Sequence, residues 1–389
     1  MVHVGGSSHQ FDFIFAGGGG AALSLAWHLV NAGYDQARML IVDEEEKRVN
    51  DRTWCYWVTG PTPYDDVART SWDTLQIVGD GRDLVLPLSP YRYQMLRAED
   101  FYRFVRERLA SCPGVTFLTA HVDAVRDTEG GGEISVAGNT YAGSWVFDSR
   151  WKYQNLVVDE TKYRNLKQHF KGVEVRTPDD RFDVDTARMF DFRTPQHDVM
   201  RFFYVLPWSP REALVEFTLF SPETLPPEEY DQRIADYIHD VLGITEYEIT
   251  ADEACIIPMT DQPFERRGGV HVLRIGTLGG RVKASTGYAF MRMQWDAEAI
   301  VDSLKRTGSP FDLPHTPKRY HTFDSILLQV LKERGDLAEH VFVRFFDRNP
   351  VSRMFRFLDE EAGVWENLKL MSTVPIPTFL KAGWQVIRS

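Results

Sequence analysis

Four consecutive glycines, Gly17 to Gly20, follow directly after a short apolar run near the beginning of the chain. Glycine has no side chain, so such a segment can turn tightly and lie close against a bound ligand. The apolar residues 13–16 predict a strand, and the alanine-rich residues 21–30 predict a helix. A strand, a glycine turn and a helix in this order are typical of the start of a βαβ nucleotide-binding unit.

The small residues of this turn match the spacing G-x-G-x-x-A. In such units the first residue permits the tight turn, the second lets the backbone approach a pyrophosphate, and the third lets the helix pack close to the strand. A second apolar run, residues 39–42, ends in an acid about 20 positions later, where a ribose-binding carboxylate is expected. The alternative is a glycine-rich turn in an unrelated α/β protein. We predict a dinucleotide site at Gly17, Gly19, Gly20, Ala22 and Asp43.

The chain has 389 residues, more than one compact core usually holds, which predicts two subdomains. The net charge of −12 argues against nucleic acid as a partner and against bulk electrostatic attachment to anionic lipid. Aromatic residues make up 13% of the chain. They supply ring faces for a large apolar or cationic ligand, or they form an aromatic core.

The cysteines Cys55, Cys112 and Cys255 lie far apart and fit no metal-binding spacing. An odd number cannot form a complete set of disulfides, so we expect a reducing, cytoplasmic location. The 11 histidines show no metal-ligand spacing either, and we predict no metal. Residues 13–34 carry no Asp, Glu, Lys or Arg, but four glycines would be a poor helix centre, so no transmembrane helix is expected there.

The order of the predicted elements indicates an α/β fold, α+β overall, with a Rossmann-like nucleotide-binding domain in three pieces. These pieces are residues 11–75, 97–150 and 264–306. An antiparallel β-sheet substrate domain, residues 76–96 and 151–263, is inserted between them. A helical C-terminal region follows at residues 307–389, and residues 1–10 are expected to be a disordered leader. Such interleaving is typical of flavoproteins with a substrate domain inserted into the FAD domain.

Several longer strings carry unusual combinations of aromatic, charged and glycine residues, namely Asn50–Trp57, Phe147–Arg150, Tyr204–Thr218, Ile275–Phe290 and Phe357–Glu360. Together they resemble the bacterial FAD-dependent lycopene cyclase family, and the resemblance covers nearly the whole chain. It implies the fold of hydroxylase-like and geranylgeranyl-reductase-like flavoproteins. It also implies an enzyme that cyclises the linear ends of lycopene to β- or ε-rings without net oxidation. Such enzymes need reduced FAD, with NAD(P)H as the expected electron donor.

Glu216 lies mid-strand between Val215 and Phe217, with Leu214 and Thr218 on its own face. A carboxyl in such a setting loses hydration, which favours the neutral acid needed to protonate an alkene. The alternative is an outward-facing glutamate on a half-exposed strand. The resemblance places the catalytic acid of the family in this string. A second acid, Asp51, either takes part in catalysis or pairs with Arg52.

A carbocation intermediate is stabilised by aromatic faces, each worth about 0.5–2 kcal/mol. The candidate walls of the substrate pocket are Trp54, Tyr56, Trp57, Phe203, Tyr204 and Trp208, with packing in the core as the alternative for each.

The glycine-rich loop at residues 276–287 fits the second flavin contact of this fold. Its Gly276–Thr277 pair replaces the Gly-Asp of the hydroxylases, which weighs against ordinary hydroxylase chemistry. Lys283 meets the flavin or a phosphate, or is a solvated surface lysine. We also expect cofactor contacts at Arg97, Asp148, Gly279, Gly280 and Gly287.

The partner predicted for this chain is an apolar polyene, which resides in a bilayer. The apolar residues 374–387 are either a peripheral membrane contact or a buried terminal segment. Two rival functions stay open, an FAD-dependent monooxygenase or isoprenoid reductase of the same fold, and a non-catalytic FAD- and lipid-binding protein.

Overall fold

A computed structural model describes residues 10–388. The expected leader, residues 1–10, lies outside the described residues except for its last position. The strands are β1 Phe11–Ala16, β2 Met39–Asp43, β3 Thr53–Val58, β4 Thr70–Trp72, β5 Thr74–Gly79, β6 Arg82–Pro87, β7 Arg92–Arg97, β8 Val115–Thr119, β9 Ala124–Thr128, β10 Gly131–Val136, β11 Asn139–Asp148, β12 Asn165–Arg176, β13 Thr186–Asp191, β14 Met200–Ser209, β15 Glu212–Ser221, β16 Glu248–Thr260 and β17 Val272–Arg274. The α-helices are α1 Gly20–Leu29, α2 Ala98–Ala110, α3 Pro227–Asp236, α4 Phe290–Thr307, α5 Lys318–Glu333, α6 Ala338–Arg348, α7 Val351–Leu358, α8 Val364–Met371 and α9 Ile376–Arg388.

The first sheet has the order β8-β2-β1-β11-β10-β9, and β17 also pairs with β11. The pairs β8–β2, β2–β1, β1–β11 and β11–β17 are parallel, whereas β9 and β10 run antiparallel at one edge. Parallel strands are covered on both faces, which explains why β1 and β2 read as nearly continuous apolar runs. The predicted strand–turn–helix–strand order is confirmed, and α1, α2 and α4 pack on one face of this sheet.

The second sheet has the order β16-β12-β15-β14-β13-β5-β6 and is antiparallel except for the pair β5–β13. One face packs against the C-terminal helices through rings such as Phe190, Phe202 and Phe342. The other face packs on α3 and the turn that follows it, through Phe203 and Phe217. The inserted antiparallel sheet expected from the sequence is confirmed, and the mixed α/β fold class with it.

A small third sheet, in the order β3-β7-β4, carries the aromatic string at residues 53–58 between the two larger sheets. The helix α4 begins at Phe290, directly after the glycine-rich loop 276–287 and two further residues, and the strand β17 before that loop is three residues long. All three cysteines are free thiols.

The C-terminal region, from α5 to α9, is helical as predicted. Among residues 10–388, no helix combines the length and the apolar character needed to cross a membrane. In α9 only Ala382 is buried, whereas Leu380, Trp384 and Ile387 are more than half exposed. The alternative of a buried terminal segment is therefore wrong for most of this helix.

Candidate functional site

A dinucleotide cleft lies at the carboxyl ends of β1 and β2. We define it by its lining, which includes Gly17, Gly19, Gly20, Asp43, Asp51, Arg52, Trp54, Ser149, Arg150, Gly276 and Thr277. Crevices at the carboxyl ends of parallel strands are where ligands bind in sheets of this kind. The structure thus brings the glycine turn, the predicted ribose acid and the start of the 276–287 loop to one place.

The glycine turn combines one strained position and one open position. Gly17 has a φ of +97°, which strains any residue with a side chain. A Cβ there would also lie only 2.5 Å from Ser149 Oγ. A Cβ on Gly19 would meet no atom within 4 Å, although Gly19 lines the cleft. A Cβ on Gly20, the first residue of α1, would approach the Trp54 ring to 3.0 Å. The turn therefore leaves room above Gly19 for a ligand.

Asp43 holds this turn in place and still faces the cleft. Its Oδ2 accepts a hydrogen bond from the Gly18 amide at 2.6 Å, and its Oδ1 accepts one from the Glu45 amide at 3.0 Å. A carboxylate offers about four acceptor positions, so acceptor capacity remains for a ribose hydroxyl. The first amides of α1 have no partner within the helix and suit a pyrophosphate. The residues present therefore fit a dinucleotide.

Several predicted cofactor residues lie outside the lining of the cleft. Ala22 is fully buried beneath the turn, and the Asp148 carboxylate pairs with Arg150, which does line the cleft. Arg97 precedes α2, where it pairs with Glu99 at 2.7 Å and lies 3.7 Å from Glu174. Its contact with a flavin stays a prediction.

The two glycines of the 276–287 loop that follow Thr277 are required by packing. A Cβ on Gly279 would lie 2.4 Å from the Arg274 carbonyl oxygen, and Gly280 has a φ of +70° against Phe264. Gly287 also has a positive φ, and a Cβ there would collide with Gln168. Gly287 differs from the other two because it lines the neighbouring cavity that contains Glu216.

Lys283 is buried, so the alternative of a solvated surface lysine is wrong, and it is not among the residues that line the dinucleotide cleft, so its contact with the flavin stays a prediction. It is 3% exposed, and its Nζ lies 2.9 Å from Asp324 and 2.8 Å from Glu360. Glu360 also pairs with Arg292 of α4 at 3.1 Å. The two carboxylates compensate the desolvation cost of burying the Lys283 ammonium group. The pairs tie the 276–287 loop to α5 and to the residues after α7.

Asp51 lies on the dinucleotide cleft and is absent from the lining of the cavity with Glu216. Its carboxylate accepts hydrogen bonds from Arg52 at 3.4 Å and from the Tyr102 hydroxyl at 3.0 Å. Of the two alternatives left open by the sequence, the pairing with Arg52 is the one observed.

The acid cavity, as we name the space around Glu216, lies between the two large sheets. Its walls include Arg52, Trp54, Cys55, Tyr93, Trp151, Gln168, Tyr204, Leu214, Glu216, Cys255, Thr277, Tyr288 and Phe290. It shares Arg52, Trp54 and Thr277 with the dinucleotide cleft, so the two spaces adjoin.

Glu216 is buried in this cavity, and the residue is 8% exposed. Among the described residues, Thr218 is its side-chain hydrogen-bond partner, whose hydroxyl donates to Oε1 at 2.6 Å. Burial, and secondly the charge of Glu253, raise the pKa of Glu216 to about 8, against a smaller opposing effect of the Thr218 hydrogen bond. Burial therefore favours the neutral acid, which is the direction that the sequence analysis expects, and Glu216 is not an outward-facing glutamate.

The sequence analysis missed Glu253, the second buried carboxyl of this region. It lies in β16 and is 8% exposed, and its Oε2 accepts a hydrogen bond from the Thr53 hydroxyl at 2.8 Å. Burial is the largest cause that raises the pKa of Glu253 above its ordinary value. A signal was present, since Glu253 lies mid-strand in an alternating run, as Glu216 does.

Of the predicted aromatic walls, Trp54 and Tyr204 line the acid cavity, and the structure does not place Tyr56, Trp57 or Trp208 there. Tyr56 stacks on Phe290, and Trp57 stacks on Phe355 with its Nε1 donating to Asp359 at 2.7 Å. Trp208 donates to Glu212 and lies under the guanidinium of Arg69. These three expectations are corrected, since strand pairing turns the rings toward other partners. Phe203, on the opposite face of the second sheet, stacks on Tyr237.

An apolar pocket adjoins the acid cavity on its other side. Its walls come from the second sheet and the C-terminal helices and include Met189, Phe190, Tyr204, Phe220, Tyr288, Leu327, Phe342, Phe346, Met354, Phe357, Ile376, Phe379 and Leu380. Tyr204, Thr286 and Tyr288 line both spaces. The dinucleotide cleft, the acid cavity and the apolar pocket therefore follow one another in series. No cluster of His, Cys, Asp and Glu among residues 10–388 is arranged to hold a metal ion.

The parallel sheet, the glycine turn and the inserted second sheet define a protein of the Rossmann-like α/β class, a fold that solved structures share. Within that class, the chain belongs to the lycopene cyclase family, since the family model described as lycopene cyclase protein matches residues 12–382. The resemblance inferred from the sequence strings is confirmed.

Solved structures with the same fold are similar over nearly the whole chain. A geranylgeranyl bacteriochlorophyll reductase-like protein from Thermoplasma acidophilum has 12% identity and a TM-score of 0.58, covering 96% of this chain and 95% of its own. The flavin-dependent brominase Bmp2 has 13% identity and a TM-score of 0.65, covering 95% and 99%. The p-nitrophenol 4-monooxygenase PnpA from Pseudomonas putida DLL-E4 has 14% identity and a TM-score of 0.56, covering 96% and 97%. A comparison with curated protein sequences found no significant match.

Proposed function

We propose that this protein is an FAD-dependent lycopene cyclase, which closes the linear ends of lycopene or a similar polyene to β- or ε-type rings. One observation carries the proposal, the burial of the acid Glu216 in a cavity between a dinucleotide cleft and an apolar pocket. An apolar pocket that meets a single buried acid suits the protonation of a hydrocarbon, because a hydrocarbon offers no polar group for binding.

The reaction begins with transfer of the carboxyl proton of Glu216 to the terminal alkene. A double bond of the same chain attacks the cation and closes the ring, and return of a proton from the ring cation to the Glu216 carboxylate leaves a neutral product. One proton enters and one leaves, so atoms and electrons balance without an oxidant. Trp54, Tyr204 and Tyr288 supply ring faces toward the cation.

Gly17, Gly19, Gly20, Asp43 and the amino end of α1 would hold FAD in the dinucleotide cleft. Reduced FAD bound there would supply negative charge that favours a nearby cation, and we propose NAD(P)H as its electron donor. The chain's own contribution is to exclude water from Glu216 and to hold its proton, through burial and the Thr218 hydrogen bond.

We further propose that the substrate enters from a bilayer at α9. Ile376, Phe379 and Leu380 line the apolar pocket, so the pocket reaches the surface at this helix. Trp384 and Ile387 of α9 are 57% and 77% exposed. An exposed apolar face with an aromatic side chain is typical of a helix that lies in a membrane interface. The C-terminal helices thus connect a peripheral membrane contact with the acid cavity.

The decisive experiment follows product and flavin together. Purified protein with FAD is reduced once under anaerobic conditions and mixed with vesicles that contain lycopene. We expect many cyclised molecules per flavin, with the flavin still reduced at the end. Oxidation of one flavin per product would instead indicate the reductase or, with oxygen, the monooxygenase. Binding of FAD and polyene without any product would indicate the non-catalytic alternative.

A further inference from the structure

Glu216 and Glu253 lie in one row across the second sheet, on either side of a glycine. Gly172 of β12 pairs directly with Glu216 of β15 on one side and with Glu253 of β16 on the other. Directly paired residues project to the same face of a sheet. At ordinary strand spacing, the Cα atoms of the two glutamates lie about 10 Å apart.

Gly172 has no side chain of its own between the two glutamates, and the Leu214 side chain packs over it. A Cβ on Gly172 would lie 3.0 Å from Leu214 and 3.4 Å from the Glu216 side chain. A larger residue would therefore press on Leu214 and reach contact distance of Glu216. Because the neighbouring Leu214 is apolar, a charge on one glutamate is only weakly screened from the other.

The two carboxyl groups have different surroundings. Glu216 lines the acid cavity, and Glu253 is not part of its lining. Glu253 Oε2 accepts hydrogen bonds from Thr53 at 2.8 Å and from Asn50 at 3.5 Å, and its buried Oε1 has no hydrogen-bond partner among the described residues. Hydrogen bonds donated to a carboxylate favour its ionised form. The negative charge of the pair is therefore favoured on Glu253, and the proton on Glu216.

We propose that Glu253 is a positioning residue, whose carboxylate, anchored on Thr53 behind the acid cavity, holds the transferable proton on Glu216. This inference rests on the proposed function, because it names the residue that keeps the catalytic acid of that reaction protonated. Glu253 itself touches neither substrate nor cofactor. When the proton of Glu216 has been given to the substrate, two negative charges share one row, which favours rapid return of a proton to Glu216.

Other titratable groups face this pair from every neighbouring element. They are Arg52 and Cys55 on or beside β3, Tyr93 on β7, Glu174 on β12, Tyr204 on β14, Cys255 on β16 and Tyr288 before α4. Arg52 is the positively charged member of this set and favours the ionised form of Glu253. Glu174 has the opposite effect on Glu253 and is not among the groups that act on Glu216.

The test measures the protonation of Glu216 without requiring turnover. Infrared difference spectroscopy of the full-length protein with FAD follows the C=O band of a neutral carboxyl as the pH is raised. Glu216→Gln identifies the band by removing it. Glu253→Gln should shift the midpoint of that band to lower pH by about one unit. Glu253→Asp, which keeps the charge, should shift it less, and Glu212→Gln at the half-buried start of β15, where the carboxylate pairs with Arg176, should leave it unchanged.

An unchanged midpoint in folded Glu253→Gln protein would overturn the proposal, as would a band that survives Glu216→Gln. If Glu253→Gln does not fold, Thr53→Val removes the hydrogen bond that favours the ionised form of Glu253 and should lower the midpoint of the Glu216 band, whereas an unchanged midpoint contradicts the proposal. Cyclase activity is measured separately, and we expect its alkaline limit to move with the midpoint. A normal titration without any ring closure would reject the proposed function and leave the relation between the two glutamates supported.

Discussion

Tyr204 and Glu216 lie directly opposite each other on β14 and β15, so the ring and the carboxyl project from the same face of the second sheet. Tyr204 lines both the apolar pocket and the acid cavity, whereas Glu216 lines the acid cavity alone. A chain end that passes from the pocket into the cavity therefore meets an aromatic face next to the acid. This pairing makes the role of Glu216 open to direct tests.

Replacing Glu216 with Gln should abolish most of the proposed cyclisation. The amide keeps the shape of the side chain and its contact with Thr218, but it has no acidic proton. General acid catalysis typically contributes about 10²- to 10⁴-fold, so product formation should fall by that order. Product is measured by chromatography, and FAD content should be unchanged. The control is Glu212→Gln on the same strand, whose carboxylate pairs with Arg176 outside the cavity. Activity close to wild type in Glu216→Gln would exclude Glu216 as the acid.

The same substitution should change how stability depends on pH. The pKa of Glu216 is raised from 4.5 to about 8, so the folded state binds more protons than the unfolded state between these values. The contribution of Glu216 to the free energy of unfolding is therefore fully present below about pH 4.5, and it is lost as the pH rises through about 8. Glu216→Gln lacks this pH-dependent loss. Its free energy of unfolding, relative to that of the wild type, should therefore increase by roughly 1–4 kcal/mol between pH 5 and pH 8. Urea unfolding at both pH values measures the difference, and a constant difference would contradict the raised pKa.

Replacing Gly19 with Val should prevent FAD binding without unfolding the protein. A Cβ at Gly19 meets no protein atom within 4 Å and enters the dinucleotide cleft, so the side chain takes the space of the ligand. Flavin content after purification and reconstitution is measured by absorbance. Gly60→Val is the matched control, because Gly60 is another glycine with open space around it and lies outside the cleft. Normal flavin content in Gly19→Val would place the cofactor elsewhere.

Removing two exposed apolar side chains of α9 should weaken binding to lipid vesicles. Leu380 and Trp384 are 69% and 57% exposed, and burial of such a side chain contributes about 1.5–3 kcal/mol. The double variant Leu380→Ser, Trp384→Ser should therefore bind vesicles at least about tenfold more weakly in a sedimentation assay. Val157→Ser, which changes an 82% exposed valine far from α9 in sequence, is the control. Equal binding by both proteins would exclude α9 as the contact.

Breaking the buried ion pairs of Lys283 should destabilise the protein strongly. Lys283→Met leaves Asp324 and Glu360 buried without their shared cation, although Arg292 still pairs with Glu360. Loss of one partner from a buried pair typically costs about 3–5 kcal/mol. Thermal and urea unfolding measure the loss. Lys381→Met, which removes an exposed pair with Glu333, should cost less than about 1 kcal/mol. A comparable small effect at Lys283 would mean that its pairs contribute little.

The local features of this fold were determined by short stretches of sequence. The glycine turn, the two apolar strands around it and the mid-strand position of Glu216 follow from spacing and alternation alone, because backbone conformation and side-chain direction are set within a few residues. The family resemblance also rests on such short strings, and the match to residues 12–382 confirmed it.

Only the tertiary structure decided which side chains meet. Glu253 faces Glu216 because β16 and β15 both pair with β12 in one particular register, and register between distant strands depends on the whole sheet. The burial of Lys283 was not predicted for a similar reason, since its partners Asp324 and Glu360 come from the C-terminal helices. Tyr56, Trp57 and Trp208 are as aromatic as Trp54 and Tyr204. Which rings line the acid cavity was decided by the direction in which packing turned each of them.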